Sequence, residues 1–296
     1  MAETRPATTP ALSVVLPVYN AMPWLPIALR DLLRQRLPDD VGLEVLAVFD
    51  GGADGSLGFL RGLVEELGVA SASDELCEPP IGTTPSNPAL LQPLRASETE
   101  DHPSFGAAPE LEQQPLSVAA VVATCRPEHR VRLLRYRDGA NRGQGAAMSL
   151  ALSVARAPFV AQMESDDERA PPDAFARMMC ALEARPEWDG VSCQVELVGW
   201  PRPGMSEYVA WQNSLLSSDE MAAGRFLEIP ALHQTALFRR RAVDEVLKAY
   251  GGTCGGYRDG PRILPAACGG GSAEGDALDT PVDLWWWLAF FQCGKR

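Results

Sequence analysis

Glu164-Ser165-Asp166-Asp167 places three carboxylates within four positions, directly after the short apolar run at 159–163. Carboxylates this close repel one another unless a cation lies among them. A hard divalent ion with oxygen ligands, completed by bound phosphates, would supply that cation. Read alone, the same residues also fit a solvated acidic turn ahead of a helix start. Asp50 closes a second apolar run, Leu43–Phe49, and opens the turn Asp50-Gly51-Gly52-Ala53-Asp54-Gly55. A carboxylate there can accept a hydrogen bond from a ribose hydroxyl or a base N–H, or it can close an Asx turn. The spacing lacks the regular oxygen ligands and distant Glu of an EF-hand. Asn141-Arg142-Gly143-Gln144-Gly145 precedes a helical pattern. Glycines at a helix start leave backbone N–H groups open to phosphate, and Arg142 adds positive charge. The run is neither a dinucleotide fingerprint nor a Walker loop. Asp283 begins the last helical pattern, beside Trp285, Trp286 and Trp287. An acid after a glycine-rich stretch can serve as a general base, or it can complement the helix dipole. The tryptophans suit a sugar-stacking surface or a core. The three histidines fall into no Ser/His/Asp or Cys/His catalytic order.

Such residues do chemistry only where strands end and helices begin beside them. Apolar runs predict strands at Leu12–Val18, Leu43–Phe49, 131–136, 159–163, 191–198 and 233–238. Helical patterns fall at 27–36, 57–67 with Ser56 as N-cap, 143–155, and from Pro171-Pro172 to 184. Further helices are expected at 206–223, at Arg240–Tyr250, and after Pro281. Strands alternating with helices at this spacing predict an α/β fold, a mostly parallel sheet flanked by helices. The alternation breaks at 71–117, which holds eight prolines and eight acidic residues against one basic residue. A segment of that composition buries too little surface to offset its ordering entropy, and it reads as a disordered insertion. The stretch 251–280, with nine glycines, reads as a flexible loop.

The 296 residues carry 26 basic and 39 acidic side chains, a net charge of −13. That balance disfavours nucleic acid and anionic membrane surfaces as partners. Hydrophobic residues at 46% fit a globular protein and exclude a wholly disordered or fibrous chain. The seven cysteines form no Cys-x-x-Cys pair, so a zinc ribbon or disulfide scaffold is not expected. No secretory signal or membrane span is visible, and a reducing, cytoplasmic location is the expectation. The organisation expected is one domain, about residues 11–294, interrupted by the insertion at 71–117.

Six segments in order resemble glycosyltransferase family 2, whose fold is the GT-A nucleotide-diphospho-sugar transferase fold. They are Leu12-Ser13-Val14-Val15-Leu16-Pro17-Val18-Tyr19-Asn20, the turn from Val48 to Ser56, Asn141-Arg142-Gly143, Glu164-Ser165-Asp166-Asp167, the segment from His233 to Arg240, and Pro281-Val282-Asp283-Leu284. The acidic run occupies the place of that family's Asp-x-Asp motif, with Glu164 one methylene longer. The resemblance implies an inverting transfer of sugar from a UDP-sugar to an acceptor hydroxyl, with Mn2+ or Mg2+. It implies that Asp166 ligates the metal, with Glu164 supporting metal or ribose. Pro17, Tyr19, Asn20, Asp50, Arg142 and Ser165 would line the nucleotide-sugar site, with Asp50 on the uracil, and Asp283 would be the catalytic base. The runner-up is an inactive nucleotide-sugar-binding or scaffold protein of the same fold, because Val282 stands where the family has a Glu beside the base. A nucleotidyltransferase would want a Gly-rich basic loop after the first strand, where this chain has Tyr19-Asn20-Ala21-Met22-Pro23.

Overall fold

Leu12–Val18 is apolar at almost every position, and it lies at the centre of the sheet with all seven residues buried. This strand, β1, runs parallel to β2 (Leu43–Phe49) on one side and to β5 (Phe159–Gln162) on the other. The computed structural model describes residues 10–78, 116–165, 171–197, 203–250 and 282–296. Beyond β2 the sheet continues through β4 (Arg130–Tyr136) to β3 (Ala72–Cys77), all parallel. Beyond β5 come β7 (Ala236–Arg239) and β6 (Gly190–Ser192), each antiparallel to its neighbour. The order is β3-β4-β2-β1-β5-β7-β6. The fold is thus α/β with a mostly parallel sheet, as the alternation predicted.

Side chains alternate across a strand, so the two faces of β1 and β2 build two cores. Leu12, Val14, Leu16 and Val18 join Leu43, Val45 and Ala47 on one face. That face packs against α1 (Leu25–Leu33), α2 (Ser56–Leu67) and α5 (Ala174–Ala184). Val15, Leu46 and Val48 face the other way, against α4 (Gln144–Val154), α8 (Arg240–Tyr250) and α9 (Val282–Gln292). Each fully buried Leu or Val side chain contributes about 1.5–3 kcal/mol. Ala146, Ala147 and Ala151 keep α4 short-limbed on the sheet. Trp286, Trp287 and Phe290 of α9 are at most 3% exposed and pack on Phe238, so these tryptophans are core.

Several elements differ from the sequence expectation. Ala72–Cys77 falls inside the stretch read as a disordered insertion, yet it forms β3. Cross-strand charge holds it in place of apolar burial: Arg132 forks onto Glu75 at 2.8 and 2.9 Å, and Arg135 onto Asp74 at 2.7 and 2.9 Å. Residues 79–115 of that stretch lie outside the described residues, as does the glycine-rich 251–281. The helix expected at 206–223 is two, α6 (Pro203–Ser214) and α7 (Ser218–Gly224), because Ser217 and Glu220 form a capping box. The strand expected at 191–198 is only three residues long, and Asn213 instead brackets the Val195 N–H and C=O at 2.8 Å each. His233–Thr235 is a 3-10 turn leading into β7. Ser56 is the first residue of α2 and not its cap: its hydroxyl accepts the Ala21 N–H and donates to Asp54. Val118–Val122 forms a short α3 capped by Ser117.

Candidate functional site

Chain order reverses direction at β1: β2 lies to one side of it and β5 to the other. In open α/β sheets, the crevice outside the carboxyl ends at such a point is where ligands bind. The loops leaving β1, β2, β4 and β5 at this edge carry most of the residues singled out from the sequence.

The β1 and β2 loops are tied into one piece. Pro17 is buried in β1 opposite Val48, and Tyr19, 41% exposed, stands at the loop tip. Asn20 takes a positive φ of 46°, which Asn tolerates better than most residues, and its Oδ1 accepts the Ala53 N–H at 3.0 Å. A Cβ on Gly52 would lie 2.5 Å from that oxygen, so the close approach of the two loops requires glycine. Asp54 accepts the Met22 N–H at 2.7 Å together with the Ser56 N–H and hydroxyl. Burial works against its charge, but these donors outweigh it and hold the carboxyl below its usual range.

Asp50 reaches across to the start of α4. It is 3% exposed, and its two oxygens accept the backbone N–H groups of Arg142 and Gly143, each at 2.7 Å. Asn141 adds a side-chain bond to the Asp50 carbonyl at 2.7 Å. Burial pushes the Asp50 carboxyl up to about 7, against the lowering effect of the two N–H donors and the Arg142 charge. Gly143, at φ 86° and ψ 164°, occupies a backbone region open only to glycine. In the structure Asp50 therefore works first as the anchor of this turn. The Arg142 guanidinium turns toward the end of β4: it bonds Asp138 at 2.6 Å and lies 5.2 Å from the Tyr136 ring centre. Its Nε and Nη1 are buried with no hydrogen-bond partner among the described residues.

Glu164 stands just beyond β5. Its Oε1 accepts the side-chain amides of Gln144 at 2.6 Å and Gln162 at 2.5 Å. Gln144 is the first residue of α4, so the same helix start holds Asp50 through its backbone and Glu164 through a side chain. Ser165 follows, half-buried. Asp166 and Asp167 lie outside the described residues. Asp283 falls in the first turn of α9, and its side chain is also outside them. The structure thus gathers Asp50, Arg142 and Glu164 around one helix start, with Pro17, Tyr19 and Asn20 in the adjoining loop.

Gln144 and Gln162 were missed in the sequence. The signal was there for Gln162: it is a polar residue in an otherwise apolar strand, two positions before Glu164 and so on the same face. Among the described residues, no three His, Cys, Asp or Glu side chains gather so as to hold a metal ion. Glu164 offers the hard oxygen donor that a divalent cation takes, already ordered by two amides. Among the described residues no helix is long and apolar enough to cross a membrane.

The chain matches no protein-family model, and no curated protein matches it. Among solved structures it is similar to S. aureus TarS, at 16% identity, covering 79% of this chain and 29% of that one, with a TM-score of 0.43. It is similar to S. aureus TarS 1-349 in complex with UDP-GlcNAc, at 16% identity over 79% of this chain and 46% of that one, TM-score 0.43. It is also similar to the mannosyltransferase PcManGT from Pyrobaculum calidifontis in complex with GDP-Man and Mn2+. There the identity is 19% over 84% of this chain and 48% of that one, TM-score 0.44. The chain covers less than half the length of each of these proteins.

Proposed function

We propose that this chain is an inverting glycosyltransferase that moves a sugar from a nucleotide-diphospho-sugar to an acceptor hydroxyl. One observation carries the reading: Asp50 from β2 and Glu164 from β5, on opposite sides of β1, meet on the start of α4. That convergence lies at the carboxyl edge of the sheet, among the residues that the family-2 resemblance assigns to the donor. Pro17, Tyr19 and Asn20 would frame the base side. Asp50 would act there directly and through the Arg142–Gly143 turn that it fixes. Ser165 and Glu164 would face the sugar-nucleotide, with Glu164 and Asp166 holding Mn2+ or Mg2+. When bound, such an ion neutralises the departing diphosphate, an effect worth several kcal/mol. Asp283 would take the proton of the acceptor hydroxyl as its oxygen attacks the anomeric carbon from the side opposite the diphosphate. The bond to the diphosphate breaks in the same step, and the configuration inverts.

Pro281–Leu284 before an aromatic helix, and Trp211-Gln212-Asn213, resemble the eukaryotic β-1,3-N-acetylglucosaminyltransferase-like proteins. UDP-GlcNAc is therefore the first donor to try. GDP-Man is the second, being the donor named for PcManGT. The test incubates the protein with UDP- and GDP-sugars and Mn2+, and measures nucleotide binding and release. Binding plus release of one nucleotide, abolished in Asp283→Asn with binding retained, supports the proposal. A folded protein that binds no nucleotide sinks it. Binding without turnover, unchanged in Asp283→Asn, would favour an inactive nucleotide-sugar-binding protein.

A further inference from the structure

Gln162 has two ends with different surroundings. Its Nε2 donates to Glu164 Oε1 at 2.5 Å, and the residue is only 5% exposed. The amide has one workable orientation: turned over, its oxygen would meet the carboxylate oxygen, acceptor against acceptor. Its Oε1 must then face away from Glu164. That atom is buried and accepts no hydrogen bond among the described residues. Gln162 also lines a cavity of about 30 Å³ on the α4, α8 and α9 side of the sheet, with His233, Phe238 and Trp286. A water needs roughly 10–15 Å³ of such space and at least two polar partners. The cavity has room for one or two, but its lining is almost wholly apolar, so the Gln162 oxygen meets little there to pair with.

A Glu at this position has one more rotatable bond than the Asp of the resembled motif, and so more freedom to lose before it can serve a ligand. Two amides converging on one oxygen remove that freedom in advance. Gln144 acts from the start of α4 and Gln162 from the end of β5. Both are donors, and both end on the same carboxylate oxygen.

We propose that Gln162, seconded by Gln144, is a positioning residue for Glu164: it fixes the carboxylate before nucleotide and metal arrive. The proposal rests on the glycosyltransferase reading and deepens it. The experiment is a double-mutant cycle read by calorimetry with UDP plus Mn2+, and GDP plus Mn2+ in parallel. Gln162→Leu is expected to weaken binding about tenfold and to shift the side-chain amide NMR signal of Gln144, since Glu164 loses one of the two donors that orient it. In a Glu164→Gln background, the same change is expected to add less than twofold. Equal losses in both backgrounds, or unchanged affinity and an unmoved Gln144 amide signal in Gln162→Leu, would overturn the proposal. If Gln162→Leu fails a thermal melt, Gln144→Ala enters the same cycle, read by the Gln162 amide signal, with the same outcomes deciding. If the wild type binds neither nucleotide, the functional reading falls instead. The clamp is then judged from the side-chain amide NMR signals of Gln144 and Gln162. Both must shift in Glu164→Gln, and signals that stay in place overturn it.

Discussion

Asp50 and Glu164 end strands on opposite sides of β1, and both are held from the start of α4, but by different donors. Asp50 is gripped by two backbone N–H groups and is almost wholly buried. Glu164 is half-buried and gripped by two side-chain amides. Backbone donors cannot turn away when their acceptor leaves, so removing Asp50 strands them. Side-chain amides can rotate toward water or another partner. The difference separates a carboxylate that builds the loop from one that is held ready on it.

The largest effect should come from Asp50→Ala. Two buried N–H groups without an acceptor cost together about 3 kcal/mol at about pH 5, or roughly 6–12 °C in Tm. The pH dependence has a definite sign. The folded carboxyl titrates near 7 against 3.8 when unperturbed. Its contribution to stability is therefore full at low pH and is lost as pH rises through about 7. The gap between wild type and Asp50→Ala should narrow over that range in urea unfolding. Glu164→Ala should cost about 1 kcal/mol or less under the same conditions. Equal losses at the two sites would erase the distinction.

Gly143→Ala tests the shared helix start. Forcing a side chain into φ 86° costs about 2 kcal/mol and should loosen both carboxylates at once. Nucleotide binding would fall together with stability, whereas Glu164→Ala would lower binding with only a small loss of stability. A smaller effect comes from outside the site and has the opposite pH sign. His129 is buried, accepts the Leu43 N–H through Nδ1 and sits 2.8 Å from the Gln35 carbonyl through Nε2. Burial holds its pKa below 6.5, so the unfolded chain takes up a proton first as pH falls. Wild type should lose stability below about pH 6.5, and His129→Asn should lack that loss, which keeps the Asp50 signature separable. The smallest change in stability is Gln144→Ala, at about 0.5 kcal/mol in the unliganded protein, with its larger effect on ligand binding.

Much of the central sheet could be read from residue order. The apolar runs of β1 and β2 need no partner information, because a strand buried on both faces must be apolar throughout. β3 could not be read that way. Asp74 and Glu75 look like solvated charge until Arg132 and Arg135 arrive from a strand more than fifty residues on. The break between α6 and α7 was present as Ser217 and Glu220, a capping signal that the helical period obscured. At the site, Asp50, Arg142 and Glu164 were recognisable by type and by the turns around them. Their partners were not, since a hydrogen bond between residues 50 and 143 has no local signature.

Residue order alone set the alternation of strands and helices, the positions of the carboxylates at strand ends, and the glycine at the start of α4. Those follow from local rules: side-chain periodicity, turn chemistry and the backbone freedom of one residue. Folding in three dimensions set which carboxylate became an anchor and which stayed half-exposed. That choice depended on burial and on donors brought in from distant strands, and both arise only once the sheet has put β2, β1 and β5 side by side.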